Sequence, residues 1–223
     1  MIKVLEVVDW IGIEAPIIDV RSPGEFVRGH IPGATNMPLF TNIERAEIGT
    51  LYVQEGRDRA LLEGLRLVGP RLHGMVVEAK RIAPDGRIRI HCWRGGERSG
   101  SVAWLLDKAG IAEVVVLKQG YKAFRNMVLR AFEAVLPLRV LGGFTGTGKT
   151  ETLQLLAHAG AQTIDLEALA AHKGSAFGAL GQPPQPTTEH FENLLWNTLR
   201  TLDNTRPIWV EDESAMIGHV NIP

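Results

Sequence analysis

The sequence is nearly free of cysteine. Among its 223 residues only Cys92 carries a thiol, so no disulfide can close within the chain and no cysteine-rich metal centre can be built from it alone. A reducing, cytoplasmic setting is expected. Long apolar runs are missing too: none approaches the roughly 18 residues that a membrane-spanning helix needs, so no membrane association is expected. The first ten residues, MIKVLEVVDW, hold Glu6 and Asp9 where a secretory signal would have its apolar core. There is also no excess of charge. Twenty-four Lys and Arg against 25 Asp and Glu leave a net charge of -1, which argues against a histone-like or polybasic protein.

What is present suffices for a core. At 45% hydrophobic and 22% charged the chain has a globular composition, and its length suits one or two domains. The neutral total conceals a pattern, because residues 1–56, 57–130 and 131–223 carry net charges of -4, +8 and -5. A basic island therefore occupies the middle. Its Arg57, Arg59, Arg66, Arg71, Lys80 and Arg81 suit a nucleic-acid phosphate backbone, and a solvated helix face accounts for them equally well.

Short apolar runs at 4–8, 17–20, 88–91, 114–117, 138–141, 163–165 and 208–210 predict strands, and helical periodicity falls at 57–81, 99–109, 121–135, 149–159 and 187–202. That alternation predicts an α/β fold with parallel strands. Leu136-Pro137 ends a helix ahead of a new apolar strand and divides the chain into units 1–135 and 136–223. The stretch Gly181-Gln182-Pro183-Pro184-Gln185-Pro186 reads as a loop.

The single thiol lies in a telling place. Residues 88–100, IRIHCWRGGERSG, run from a strand through Cys92 and two glycines to Arg98 and into a helix that Ser99 is expected to cap. Between a strand and a helix N-terminus, glycines let backbone N–H groups converge on an anion, and the helix dipole favours negative charge there. Arg94, Gly95, Gly96, Arg98 and Ser99 would form such a cradle, with Arg98 as a bidentate clamp on a tetrahedral oxyanion. The same field favours thiolate, so Cys92 is the candidate nucleophile. His91 is either a hydrogen-bonded structural residue or a tuner of that thiolate.

Upstream, Asp19-Val20-Arg21-Ser22-Pro23-Gly24-Glu25-Phe26 and Gly29-His30-Ile31-Pro32-Gly33-Ala34-Thr35-Asn36-Met37-Pro38 resemble the signature stretches of rhodanese-like domains. In that family Asp19 and Arg21 would be mainly scaffold. The spacing His-Cys-x5-Arg-Ser also resembles the loop of cysteine phosphatases, whereas common sulfurtransferases have a loop one residue shorter. The longer loop suggests a larger tetrahedral guest, and phosphate, thiophosphate and selenophosphate all remain open.

A second constellation follows. Residues 138–150, LRVLGGFTGTGKT, satisfy G-x-x-x-x-G-K-[ST] through Gly143, Gly148, Lys149 and Thr150, with Thr145 and Gly146 inside the loop, after a predicted strand and before a predicted helix. Such a P-loop wraps a phosphate chain, places Lys149 on its terminal groups and lets Thr150 hold Mg2+. The strand 207–213, PIWVEDE, ends in acids of which Glu211 or Asp212 would reach the metal through water. Nothing reads a base, so the ligand class stays open between a nucleotide and another diphosphate.

Together the two constellations, with HKGS-x-FG at 172–178, the Gln182-Pro183-Pro184-Gln185 loop and WVEDES at 209–214, resemble the tRNA 2-selenouridine synthase family. The resemblance implies a rhodanese-like parallel-sheet domain followed by a P-loop NTPase-like α/β domain. It implies selenium taken from selenophosphate onto Cys92, geranyl diphosphate at Lys149 and Thr150, and exchange of sulfur for selenium at the wobble 2-thiouridine of tRNA. No tightly bound cofactor is implied, and an enzyme that supplies selenophosphate is an implied partner. A rhodanese-fold cysteine phosphatase or sulfurtransferase with an attached nucleotide domain is the alternative. Members of the family run well past the Trp-Val-Glu-Asp-Glu strand, so the second domain is expected to be C-terminally shortened in a chain that ends at Pro223.

Overall fold

The computed structural model describes residues 1–144, 147–175 and 177–223. They pack as two compact units, Met1–Met127 and Val128–Pro223. The first unit is built on five parallel strands, β1 (Ile2–Leu5), β2 (Ile17–Asp19), β3 (Ala34–Asn36), β4 (Arg87–His91) and β5 (Glu113–Leu117), in the order β1-β5-β4-β2-β3. Ile88 and Ile90 of β4 and the valines of β5 are buried, as befits a sheet covered on both faces. With Val102, Leu106, Met75 and Phe40 they form one core.

Several helices frame this sheet: α1 (Val7–Ile11), α2 (Pro23–Arg28), α3 (Asn42–Gln54), α4 (Arg57–Val68), α5 (Leu72–Ile82), α6 (Glu97–Lys108) and α7 (Gly120–Ala131), the last crossing the division between the units. Three expectations change here. The run 4–8 is a strand only to Leu5, after which the chain turns into α1 to bury Trp10. The stretch 57–81 is two helices, because Gly69-Pro70 interrupts it with a single 3-10 turn at Gly69–Arg71. Finally α6 starts at Glu97 with Gly96 at its N-cap, so Ser99 lies inside the helix rather than capping it.

The second unit has a three-stranded parallel sheet, β6 (Leu138–Leu141), β7 (Gln162–Ile164) and β8 (Ile208–Glu211), in the order β6-β8-β7. The phosphate-loop strand β6 thus pairs directly with the acidic strand β8, Leu141 opposite Glu211. Helices α8 (Lys149–His158), α9 (Leu166–Ala170) and α10 (Thr188–Leu199) and a hairpin of β9 (Met216–Ile217) and β10 (Val220–Asn221) complete it. Phe191, Leu195, Ile208, Ile217 and Val220 share its core. Gln185 ties the hairpin down, donating to the carbonyls of Ala170 and Ile217 at 3.0 and 3.1 Å and accepting from the His219 amide. Among the described residues no helix is long and apolar enough to cross a membrane.

Candidate active site

Cys92 follows β4, at the carboxyl edge of a parallel sheet where ligands of such folds bind. Only 3% exposed, it forms the floor of a cleft of about 990 Å³ bordered by Arg45, Tyr52, Val53, Trp93, Arg94 and Arg98. The wall opposite the loop is α3, which periodicity did not reveal. Its start was legible, because Thr41 accepts the Glu44 amide and the Glu44 carboxylate accepts the Thr41 amide in a capping box.

The loop is held by its carbonyls. Amides of Tyr121 and Lys122, in the first turn of α7, donate to the carbonyls of Cys92 and Trp93 at 2.8 and 3.0 Å. Backbone meets backbone so closely that a Cβ on Gly120 would lie 2.3 Å from the Cys92 carbonyl, and one on Gly95 would lie 2.5 Å from that of Leu117. Both glycines also have positive φ, so side chains are excluded twice over.

Around the thiol, the Ser99 hydroxyl stands 3.2 Å from Cys92 Sγ and 3.2 Å from the Gly96 carbonyl. Placed inside α6, Ser99 touches the Cys92 thiol instead of the helix start. Arg98 is already clamped: its guanidinium donates to both carboxylate oxygens of Glu25 at 2.8 and 3.3 Å. Glu25 also accepts the Ser22 amide at 3.0 Å at the start of α2, so one carboxylate caps a helix and aims an arginine. Burial would raise the Glu25 carboxyl, but the bonds and charge of Arg98 outweigh it and hold it below its ordinary value. The remaining guanidinium donors stay available for a guest. The Ser-x-x-Glu spacing signalled this residue, although its reach to Arg98 needed the fold. Arg94 is exposed at the rim.

Beneath the loop lies a buried polar group. Arg21 binds Asp19 in two-pronged fashion and donates to the Gly29 carbonyl at 2.7 Å, with its guanidinium 3.8 Å from the centre of the Tyr121 ring. His91, fully buried, stacks on Tyr121 with Nε2 at 3.7 Å from Asp19 Oδ2. Burial pulls its pKa down to about 4 against the Asp19 charge, so the imidazole is neutral near pH 7. Neither ring nitrogen has a hydrogen-bond partner among the described residues, and His91 supports the loop through packing.

Five arginines of the basic island are paired on the surface: Arg57 with Glu97, Arg59 with Glu55, Arg66 with Glu63, Arg71 with Glu44 and Arg81 with Glu78. Glu63, Glu78 and Glu97 already count within the +8 of residues 57–130, so most of the positive excess remains.

In the second unit Gly148 takes a positive φ of 81° at the N-cap of α8. Lys149 donates to the carbonyls of Gly143 and Asp212 at 3.2 Å each and lies 3.9 Å from Glu213. Thr145 and Gly146 lie outside the described residues. Of the two acids expected beside the loop, Asp212 is exposed and Glu211 turns inward, because alternation along β8 sends them to opposite faces. Glu211 meets Glu167 of α9 and Glu213, neither of which the motif singled out. The Thr150 hydroxyl, which also stands beside Glu211, gives its hydrogen bond to Glu167 at 3.4 Å. Burial raises the carboxyls of both Glu167 and Glu211, and the neighbouring acids raise them further. Gly174 of the HKGS stretch closes over this group, since a Cβ there would lie 2.7 Å from Glu167 Oε1 and 2.9 Å from Glu213 Oε2.

Residues 4–127 match the model of the rhodanese-like domain. The chain belongs to the rhodanese-like family. Residues 136–223 of this rhodanese-like chain match the tRNA 2-selenouridine synthase AAA domain. The chain is similar to the tRNA 2-selenouridine synthase of Bordetella bronchiseptica, with 41% identity over 94% of its length, and it spans 58% of that relative. It is also similar to the solved N-terminal domain of a Clostridium difficile 630 protein described as ATP/GTP-binding. That match has 39% identity and a TM-score of 0.55 and covers 57% of this chain and 99% of that one. The rhodanese-like α/β fold followed by a second α/β domain is thereby established, as is the resemblance to tRNA 2-selenouridine synthases.

Proposed function

We propose that this chain carries out selenium transfer in the synthesis of 2-selenouridine in tRNA. The observation that carries the reading is Cys92 at the floor of the glycine loop, with Ser99 at 3.2 Å and Arg98 held at the rim by Glu25. A loop whose carbonyls are tied to α7 frees its amides for an oxyanion, so the cradle suits the phosphoryl oxygens of selenophosphate. The Cys92 thiolate would attack phosphorus, the S–P bond forming as the P–Se bond breaks; selenide would leave to bond the uridine carbon, and water would later release the phosphoryl group as phosphate. The cleft is far larger than a tetrahedral anion and has room for a nucleotide beside it. The similarity to the Bordetella enzyme supports tRNA as that substrate; the wobble 2-thiouridine as the reacting base and a selenophosphate-supplying enzyme as partner complete the reading.

Geranyl diphosphate is assigned to the phosphate loop, where Lys149 and the helix N-terminus of α8 complement a diphosphate. The S-geranylated uridine made from it would be the intermediate that selenium displaces. The reading is tested by intact-protein mass spectrometry after exposure to selenophosphate. A phosphoryl adduct with release of selenide is expected, both absent in Cys92→Ser, and selenium should pass to a thiolated tRNA. Robust Cys92-dependent hydrolysis of an aryl phosphate, with no selenium passed to that tRNA, would instead favour the phosphatase that the His-Cys-x5-Arg spacing resembles.

A further inference from the structure

Helix α3 buries none of its 13 residues fully, yet it walls the cleft above Cys92. Arg45, Gly49, Tyr52 and Val53 stand at i, i+4, i+7 and i+8, which places them on the one stripe of the helix that borders the cleft. Tyr52 is 58% exposed and Val53 83%. The ring contacts around the cysteine loop join Trp10, His91, Trp93, Tyr121 and Phe124 and leave Tyr52 out.

Gly49 supplies an independent sign. Inside a helix glycine is less favourable than alanine, and neither backbone conformation nor packing calls for it at this position. Its φ is not positive, and an added Cβ would meet only Arg45 Nη1, at 3.4 Å. What the missing side chain provides is width in the cleft.

The charges at the opening suit a polyanion. Arg94 is exposed at the rim, and Arg45 comes no nearer than 3.9 Å to Glu25, a carboxylate already committed to Arg98. The one acid among the lining residues, Glu97, is bound by Arg57 at 2.7 Å.

We infer that this wall receives one unpaired nucleotide of an RNA, its base stacked on Tyr52 and passing Gly49 toward Cys92, with Arg45 and Arg94 on the flanking phosphates. The inference rests on the reading of RNA as the substrate and adds the surface that admits the reacting base. An aromatic ring beside guanidinium groups is how proteins hold single-stranded nucleic acid, because every base has a face to stack and every backbone a charge to neutralise. A base inside a duplex does not reach a thiol that is 3% exposed at the floor of a cleft, so the nucleotide enters unpaired or turned out of its helix. A hydrocarbon chain would have no use for the two arginines.

The test uses the full chain and a fluorescein-labelled RNA hairpin with an unpaired 2-thiouridine in its loop, without selenophosphate. By fluorescence anisotropy Tyr52→Ala should bind it about tenfold more weakly, whereas Tyr52→Phe should stay within about twofold of the native chain. Arg94→Gln should weaken binding and lower its salt dependence by about one phosphate contact. Saturating hairpin should slow alkylation of Cys92 by iodoacetamide in the native chain and not in Tyr52→Ala. Gly49→Leu should fold with a Tm no lower than that of the native chain, leucine being the better helix former, and should lose the hairpin's protection of Cys92. Equal affinity of Tyr52→Ala and the native chain would overturn the inference, as would alkylation of Cys92 that the hairpin leaves unchanged. Native affinity in Tyr52→Leu would also overturn it, marking the wall as a cover for an apolar group. The phosphoryl adduct on Cys92, measured with selenophosphate and no RNA, tests the selenium reading separately: its absence beside Tyr52-dependent protection by the hairpin would sink that reading and support this one.

Discussion

The two units treat buried charge in opposite ways. Below the cysteine loop, Asp19 is matched by Arg21 and Glu25 by Arg98, and the buried His91 is neutral near pH 7. Beside the phosphate loop, three acids face one another with a single lysine near them. The first arrangement is complete as folded and presents its remaining donors to a guest. The second leaves its acids with little to balance them. A preorganised cradle needs no reorganisation when an oxyanion arrives, which suits a site of covalent chemistry; a charge deficit makes a site responsive to its ligand.

The largest effect that would sharpen this contrast is loss of chemistry with retention of fold. Cys92→Ser should abolish the proposed phosphoryl adduct and leave the urea midpoint nearly unchanged, since the substitution is close to isosteric. Gly120→Val should break the cradle from behind: a positive φ of 59° and a Cβ 2.3 Å from the Cys92 carbonyl are together expected to cost roughly 3 kcal/mol or more. Urea unfolding would measure that cost, and faster alkylation of Cys92 would report the loosened loop.

Acid should weaken the first unit through His91. Its folded pKa of about 4 lies below the ordinary histidine value, so the unfolded chain takes up the proton first and stability falls as pH drops from about 6.5 toward 4. The loss is of the order of 3 kcal/mol and should vanish from the pH dependence of the urea midpoint in His91→Asn. The carboxyls of Glu167 and Glu211 are raised whereas those of Asp19 and Glu25 are lowered, which is the same contrast in another form. Glu25→Gln removes the anchor of Arg98; roughly 1–3 kcal/mol of stability should go, with a rise in the KM for selenophosphate of about tenfold. An unchanged KM would show that Arg98 needs no anchoring. Smallest of all, Arg66→Gln and Arg81→Gln should leave the urea midpoint in place, since both arginines are exposed and paired within one helix.

Much of the cysteine loop was legible because its signals are local. Glycines, a strand before them and a helix after them suffice to place a cradle, and the phosphate loop announces itself in the same way. Ser99 shows the limit of such reasoning: a serine near a helix start reads as a cap, but the helix began two residues earlier and turned the hydroxyl toward Sγ. Helix α3 escaped because its exposed and half-buried residues leave only a weak periodic signal, although Thr41 and Glu44 marked its start. The arginines of the basic island meet acids one helical turn away or on neighbouring elements, and which acid each one meets only the fold specifies.

The order of residues by itself determined the α/β alternation, both glycine loops, the candidate nucleophile and the resemblance to a family. These depend on neighbours within a dozen positions, where backbone propensity and spacing act directly. Tertiary structure alone decided that Glu25 holds Arg98 across 73 residues, that Gly120 must lack a side chain, and that Glu167 converges with Glu211 and Glu213. Those contacts arise where strands far apart in the chain end side by side, and no local pattern encodes the meeting of their side chains.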